Sequence, residues 1–174
     1  MGNTKNTIEK MDILDFSLPA YSEIPDVGLY LKQVVKYINE ALGQYLDLSV
    51  TDTMISNYVK MRLVPNAIKK LYYRDQIASF LFIVLAKPVI SLDHIQFLLK
   101  VKEERYQAKE AYELFSEAFM RTLRSVFGTE EDTQEPEDAY QALVKNIIIA
   151  IVQKYYIERS FRQLQLDQKE GENQ

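Results

Sequence analysis

Apolar side chains recur at three- and four-residue steps along most of this chain, and this period constrains the fold more than any other feature. Leu31, Val34, Val35, Ile38 and Leu42 set the pattern in its first long segment. Such spacing places apolar residues on one face of an α-helix. Five glycines and five prolines among 174 residues are too few for the many turns of an all-β protein. We therefore expect an all-α fold.

Apolar periodicity and the positions of glycine and proline divide the chain into four segments. Residues 1–23 are expected to form an N-terminal arm, 24–101 a domain of short helices, 102–166 two long helices, and 167–174 a flexible polar tail. The stretch from Pro65 to Tyr72 lacks a helical period and predicts a loop or a small two-stranded wing.

The two long C-terminal helices are expected over residues 102–127 and about 136–166. Gly128 is expected to supply a left-handed cap to the first of them. The second is apolar around much of its circumference, which predicts cover on more than one side. We expect a bundle or a homodimerisation element that uses Ile147, Ile148, Ile149, Ile151, Val152 and Tyr155. A monomeric bundle built from the same residues is the alternative.

Charge is unevenly distributed along the chain. The net charge is −4, but residues 51–102 contain eight basic and three acidic residues, so this segment carries +5 and the remainder −9. A basic segment inside an acidic protein is typical of a nucleic-acid-binding face. Solvated helix faces also collect lysines, so charge alone does not decide the function.

The composition argues against an enzyme and against a cofactor or metal site. The chain has no cysteine, one histidine (His94), and no glycine-rich phosphate loop. Its longest apolar runs, residues 78–86 and 147–152, fall well short of the ~20 residues that span a bilayer. The first ten residues lack the apolar core of a secretory signal. We expect a cytoplasmic, non-membrane protein.

Four short motifs follow one another between residues 51 and 95. They are Thr51–Lys60, Leu63-Val64-Pro65, Tyr72–Ile77 and Val89–Ile95. In this order they resemble the MerR-type winged helix-turn-helix, in which a capped recognition helix leads into a basic wing and two further helices. The stretch from Leu18 to Leu99 also resembles a domain of unknown function from Gram-positive bacteria, whose members are described as MerR-like transcriptional regulators.

This resemblance implies a sequence-specific regulator that binds double-stranded DNA as a dimer. Short polar side chains on the outer face of the recognition helix would contact bases, and cations in the wing would contact phosphates. The candidate DNA-binding residues are Thr51, Thr53, Ser56, Asn57, Lys60, Arg62, Lys69, Lys70 and Arg74. Four features depart from the MerR pattern. Ser56-Asn57 replaces an arginine-tyrosine pair, and Arg62 replaces the turn glycine. Tyr73 stands where a serine or threonine cap is usual, and Pro88 falls in the glycine region.

Other interpretations stay open. Ser56, Asn57 and the two wing lysines also fit ordinary solvated positions. The missing arginine and the overall acidity fit a non-catalytic adaptor that has lost DNA binding and docks a protein instead. A small-molecule effector site is a third possibility, with candidate pocket residues Phe115, Phe119, Tyr140 and Tyr155.

Overall fold

Six α-helices and one 3-10 turn make up the regular structure of residues 13–172, the part of the chain that the computed structural model describes. The 3-10 turn is Tyr21–Glu23. The helices are Leu31–Leu46 (α1), Asp52–Lys60 (α2), Arg74–Ala86 (α3), Leu92–Arg105 (α4), Ala108–Phe127 (α5) and Ala139–Glu172 (α6). Within these residues, β-pairing is limited to two isolated bridges. The predicted all-α fold is confirmed.

Helices α1 and α2 are joined by a short, well-defined link. Asp47 ends α1 in the left-handed region, at φ 53°. The Asn39 side chain then holds Val50, accepting its backbone N–H at 2.7 Å and donating to its carbonyl at 3.0 Å. Thr51 caps α2, because its Oγ1 accepts the Met54 N–H at 3.3 Å. The two helices therefore meet at a fixed angle.

Helix α3 forms the centre of the core. Nine of its thirteen residues are buried, among them Ile77, Phe80, Leu81 and Leu85 with no exposed surface. It packs against α1 on one side and against α5 and α6 on the other. A helix that is apolar around its circumference needs such cover. The domain of short helices and the C-terminal helices thus share one core.

The predicted single helix over residues 102–127 is wrong. The chain breaks at Tyr106, which is extended (φ −136°, ψ 149°), and Gln107 is the N-cap residue of α5. The Tyr106 ring lies 6.3 Å from that of Tyr140, and Arg105 pairs with Asp138. Docking of this corner on the start of α6 competes with continuing the helix. The expected boundary at 101/102 consequently falls inside α4.

The expected left-handed cap at Gly128 is also wrong. Its φ is −105°, and glycine is required there for space, because a Cβ would lie 2.5 Å from the Arg124 carbonyl oxygen. Helix α6 begins three residues later than predicted, where Asp138 Oδ1 accepts the Gln141 N–H at 2.9 Å. It continues to Glu172, so the described part of the predicted tail is helical.

Helices α5 and α6 lie side by side and run in the same direction. The corner between α4 and α5 contacts the start of α6 through Arg105 and Asp138, and the Phe127 ring at the end of α5 lies 5.5 Å from the Tyr156 ring. Neighbouring helices joined by a short loop would be antiparallel. Here residues 128–138 run back along α5, a distance of about 30 Å that eleven extended residues can cover. We call this segment the strap.

The described part of the N-terminal arm packs into the same core. Ile13 and Phe16 are buried, and the Phe16 ring lies 5.6 Å from Tyr45 and 6.4 Å from Phe119. The Tyr112 hydroxyl donates to the Pro19 carbonyl at 2.8 Å. The rest of the predicted arm, residues 1–12, lies outside the described residues. Among those described, no helix is long and apolar enough to cross a membrane.

Candidate nucleic-acid interface

The outer face of α2 is polar and exposed. Thr53, Ser56, Asn57 and Lys60 are all exposed, and their spacing of three, four and seven residues puts them on one helical face. The opposite face buries Ile55 and Tyr58 completely. Helix α2 is about 14 Å long at 1.5 Å per residue. It therefore presents a short polar ridge, fixed from below by apolar contacts.

Arg62 ends α2 in a left-handed conformation. Its φ is 60°, its N–H donates to the Val59 carbonyl at 2.9 Å, and the Leu63 N–H donates to the Tyr58 carbonyl at 3.0 Å. These two bonds define a Schellman motif, in which glycine is the favoured residue. The turn forms as tightly as with glycine, although a side chain in this region costs about 1 kcal/mol. The exposed guanidinium is kept despite that cost.

The wing is a two-residue hairpin turn with lysine at both central positions. Ile68 and Leu71 exchange backbone hydrogen bonds of 2.9 Å each way. Lys69 and Lys70 have φ values of 50° and 67°. Positive φ at both positions is the type I′ geometry, which strongly favours Asn-Gly. Both lysines are exposed, so the turn presents two adjacent cations at its tip.

A third segment, which the sequence did not indicate, supports the wing. Leu29 and Tyr72 exchange backbone hydrogen bonds of 2.8 Å each way. Gly28 precedes this bridge at φ 78°, with Leu71 and Tyr73 about 3.2 Å from where a Cβ would lie. The position of Gly28 near Pro25 suggests a turn. The pairing of Leu29 could not be predicted from the local sequence, because its partner Tyr72 lies more than forty residues away.

Gln76 anchors the base of the wing. Its side chain accepts the Tyr73 N–H at 2.9 Å and donates to the carbonyls of Pro65 and Asn66 at 3.1 Å each. It is one of two buried polar side chains among the described residues. Buried amides need such partners. Gln76 therefore ties the loop before the wing to the first turn of α3.

Arg74 contacts the segment that precedes α1. Its Nε donates to the Ile24 carbonyl at 2.8 Å, one of its terminal nitrogens lies 3.7 Å from Asp26, and its guanidinium stacks 5.4 Å from the Tyr21 ring. These contacts tie the N-terminal arm to α3. Eight of the nine candidate DNA-binding residues are exposed on α2, its caps and the wing, whereas Arg74 is a structural residue of the arm.

Lys87 is a cation near α2 that the sequence interpretation missed. Its Nζ lies 5.4 Å above the buried Tyr58 ring, and the residue is exposed. Burial raises the pKa of the Tyr58 hydroxyl, so this ring stays neutral at physiological pH. Lys87 follows α3 in sequence, and only the packing of α3 on α2 reveals it.

The residues expected to form a dimer contact are covered by their own chain. Ile148, Ile151 and Val152 are at most 1% exposed, Ile147 and Tyr155 are 8% exposed, and Ile149 is half-buried. Contacts with α5 and α3 supply the cover. The apolar circumference that suggested a second subunit is thus explained by packing within the chain, and those six residues do not form an open surface.

Comparison with known families gives one match. The model of a family described as a domain of unknown function, DUF1836, matches residues 19–115, which is more than half of the chain. The match includes the last five residues of the arm, α1 to α4, the wing and the start of α5. No curated protein and no solved structure matches the chain.

Proposed function

The chain belongs to the DUF1836 family, whose function is unknown, and we propose that it binds double-stranded DNA through a MerR-like winged helix-turn-helix. In this proposal α2 enters the major groove, where Ser56 and Asn57 reach base edges. Arg62, Lys69 and Lys70 neutralise phosphates on either side. The protein acts as a regulator of transcription and does not catalyse a reaction.

One observation carries this proposal: three exposed cations occupy left-handed backbone positions. Arg62, Lys69 and Lys70 have φ values of 50–67°, where glycine or asparagine costs less. Backbone strain that persists in a folded protein often marks a functional site. A solvated turn has no need of long basic side chains at these positions. Phosphate contacts supply a reason for keeping them.

The dimensions of α2 also support the proposal. An α-helix with its side chains is about 10–12 Å across, which fits the ≈ 12 Å width of the major groove. Asparagine can pair bidentately with adenine, and serine can accept or donate at a base edge or a phosphate. Asn57 makes only a weak contact with Met61 Sδ at 3.5 Å, so its amide is accessible to a base.

Salt dependence of binding tests the proposal. We expect the full chain to bind a random 25-base-pair duplex, with an affinity that falls steeply as salt rises. In Lys69→Gln/Lys70→Gln the slope of log K against log [salt] should decrease by about 1.8, which corresponds to two lost phosphate contacts. Fluorescence anisotropy of labelled duplex gives both slopes.

Lys109→Gln is the matched control, because it removes one exposed cation from α5. It should leave the slope unchanged. Asn57→Ala should weaken binding to fragments selected from genomic DNA by about 1–3 kcal/mol and have little effect on random duplex. Absence of duplex binding at low salt would refute the proposal.

One observation favours a second candidate, a protein-binding adaptor. Met61 at the end of α2 and Phe97 on α4 are 36% and 61% exposed, and Gln96, the residue before Phe97, donates its Nε2 to the Met61 carbonyl at 3.2 Å. Exposed apolar side chains that lie together are typical of protein contacts. Loss of binding to a protein partner in Phe97→Ser, in a chain that does not bind DNA, would support this candidate.

We propose that the dimer forms through an exposed stripe on α6. Leu143, Ala150, Ile157 and Leu164 are exposed and lie seven residues apart, which is the repeat of one coiled-coil position. Phe161, 62% exposed, extends the stripe. The opposite face of this part of α6 contacts α1, where Arg162 pairs with Asp47 at 3.3 Å.

Charges beside the stripe fit a second copy of the chain. Lys154 and Glu158 lie on one flank and pair at 3.2 Å. A two-fold axis between them, with antiparallel α6 helices, brings each Lys154 opposite the Glu158 of the second copy. Such a dimer would present two α2 helices, which must lie about 34–36 Å apart to read successive major grooves.

Size-exclusion chromatography with light scattering tests the dimer. The wild-type chain should elute with twice its monomer mass, and Ile157→Glu should elute as a monomer. Leu114→Glu is the matched control, since Leu114 is 45% exposed on α5, outside the stripe. A wild-type monomer at every concentration examined would refute the dimer without affecting the proposal on DNA binding.

A further inference from the structure

A cavity of about 180 Å³ lies between α3, α4, α5 and α6, and the strap forms part of its wall. Its walls are mainly apolar and include Phe82, Leu98, Phe115, Tyr140 and Ile148. Among the effector-site candidates, Phe115 and Tyr140 therefore line it, whereas Phe119 and Tyr155 do not. An apolar cavity of about 150 Å³ admits a molecule of the size of benzene. This cavity has room for one ring.

Small side chains leave this space open. Ala78 on α3 and Ala108, Ala111 and Ala118 on α5 all face the cavity. Larger residues at these positions would fill it, as they do elsewhere in a core packed like an organic crystal. Phe82 and Phe115 stand perpendicular to each other at 5.1 Å and form a wall against which a planar ring can pack.

A charged cluster lies in the cavity wall beneath the strap. Asp132 lies between two cations, 3.6 Å from Arg121 Nε and 3.5 Å from Lys145 Nζ. All three side chains are at most 30% exposed, and that of Asp132 is 12% exposed. Two partly buried cations share one carboxylate here, so the cluster has an excess positive charge. A second carboxylate in reach would balance it.

Arg121 also has an unused hydrogen-bond donor. Its Nε is buried and has no hydrogen-bond partner among the described residues, because Asp132 at 3.6 Å is beyond hydrogen-bond distance. A buried donor without an acceptor is costly, and rare in native structures. The apolar walls and this donor together suggest an amphipathic occupant.

The remaining charged residues of the lining have other roles or positions. Asp75 accepts the hydrogen bond of the Tyr21 hydroxyl, and Glu135 is exposed on the strap. Lys102, at the end of α4, adds a third cation. Burial raises the pKa of Tyr140 to about 12, so its hydroxyl stays protonated and donates to the Leu98 carbonyl at 3.2 Å. Of the three carboxylates in this lining, Asp132 is the one that pairs with Arg121.

We propose that this cavity binds a small carboxylic acid with one aromatic ring or a branched aliphatic body. The body packs between Phe82, Phe115 and Ile148, and the carboxylate accepts the Arg121 Nε–H and interacts with Lys145. Asp132 and the Arg124–Glu130 pair at 3.1 Å hold the strap, which forms one wall of this site, to α5. This site goes beyond the proposed DNA binding and does not depend on it.

Isothermal titration with phenylacetate, and with its neutral counterpart 2-phenylethanol, tests the proposal. The full chain should bind phenylacetate saturably with one site per chain. It should bind 2-phenylethanol about 10- to 100-fold more weakly, because a charge-assisted hydrogen bond is lost. Arg121→Gln should weaken phenylacetate binding by a similar factor and change 2-phenylethanol binding little. Ala111→Leu should weaken binding of both.

Arg124→Gln is the matched control, since Arg124 also holds the strap but does not line the cavity. It should bind both compounds as the wild type does. If Arg121→Gln does not fold, Arg121→Lys removes the Nε donor, keeps the charge and should still weaken phenylacetate binding. The proposal is overturned if the wild type binds neither phenylacetate nor 4-methylpentanoate at about 10 mM. Equal losses in Arg121→Gln and Arg124→Gln would also overturn it.

Discussion

The region around α2 and the wing differs sharply from the α5–α6 pair in what holds it in shape. Short hydrogen-bonded turns define the first: the Schellman turn at Arg62, the type I′ turn at Lys69-Lys70, and the Gln76 anchor. Apolar burial defines the second, where Phe119, Leu123, Ile148 and Val152 have no exposed surface. Backbone geometry therefore shapes the proposed interface, and side-chain packing shapes the C-terminal helices.

This difference separates binding from stability. A region defined by local turns can exchange exposed side chains with little change in the free energy of unfolding. A region defined by packing cannot lose a buried ring without leaving a cavity. Substitutions in the two regions should therefore affect different measurements, and three predictions test this separation.

Phe119→Ala should have the largest effect. The ring has no exposed surface and contacts Phe16 of the arm and Phe115 of α5. Its loss should reduce the free energy of unfolding by about 3–5 kcal/mol, as expected for a buried Phe-to-Ala change. Denaturant unfolding followed by circular dichroism measures this. Leu114→Ala on the exposed side of α5 should cost less than about 1 kcal/mol. A similar cost for both variants would contradict the central place of Phe119.

Arg74→Gln should have an intermediate effect on stability, because it loosens the contact between the N-terminal segment and α3. It removes a charge-assisted hydrogen bond to Ile24 and the contact with Tyr21, and charge-assisted bonds contribute about 1.5–3 kcal/mol each. The free energy of unfolding should decrease accordingly, while the salt slope of duplex binding stays unchanged. If Arg74→Gln reduced the salt slope of duplex binding and left the free energy of unfolding unchanged, Arg74 would belong to the DNA-binding surface. Lys109→Gln, which removes an exposed cation from α5, is the control for charge.

The sequence predicted the helices with strong apolar periods and the ends with polar caps. Thr51, one of two cap candidates beside Ser49, caps α2, and Ser91 caps α4, with its Oγ accepting the His94 N–H at 3.2 Å. These signals are local, because a cap and the N–H that it accepts lie three residues apart. The exposure of Ser56, Asn57 and Lys60 also followed from the period of α2.

Features that depend on distant partners were not predictable. The break at Tyr106 depends on Tyr140, and the occupation of Arg74 depends on Ile24. The parallel course of α5 and α6 depends on the path of the strap. Burial of Ile148 and Val152 by the same chain looks identical, in sequence, to burial by a second copy. Tertiary packing decided each of these outcomes.

The smallest expected effect concerns the left-handed cations and has opposite signs in two measurements. Arg62→Gly and Lys69→Asn/Lys70→Gly place favoured residues at φ values of 60°, 50° and 67°. Each change should increase the free energy of unfolding by up to about 1 kcal/mol, because the backbone strain is relieved. The gain in the free energy of unfolding of Arg62→Gly should be smaller than the strain that is relieved, because glycine also increases the entropy of the unfolded chain.

The same variants should bind duplex more weakly. The salt slope should decrease by about 0.9 for Arg62→Gly and about 1.8 for the wing pair. Asp47→Gly is the matched control, since Asp47 has φ 53° and carries no positive charge. Lys109→Gly would not serve, because glycine inside a helix destabilises that helix. Asp47→Gly should raise stability without weakening duplex binding. Weaker binding in Asp47→Gly, or unchanged binding in the other two variants, would mean that left-handed geometry and DNA contact are unrelated in this protein.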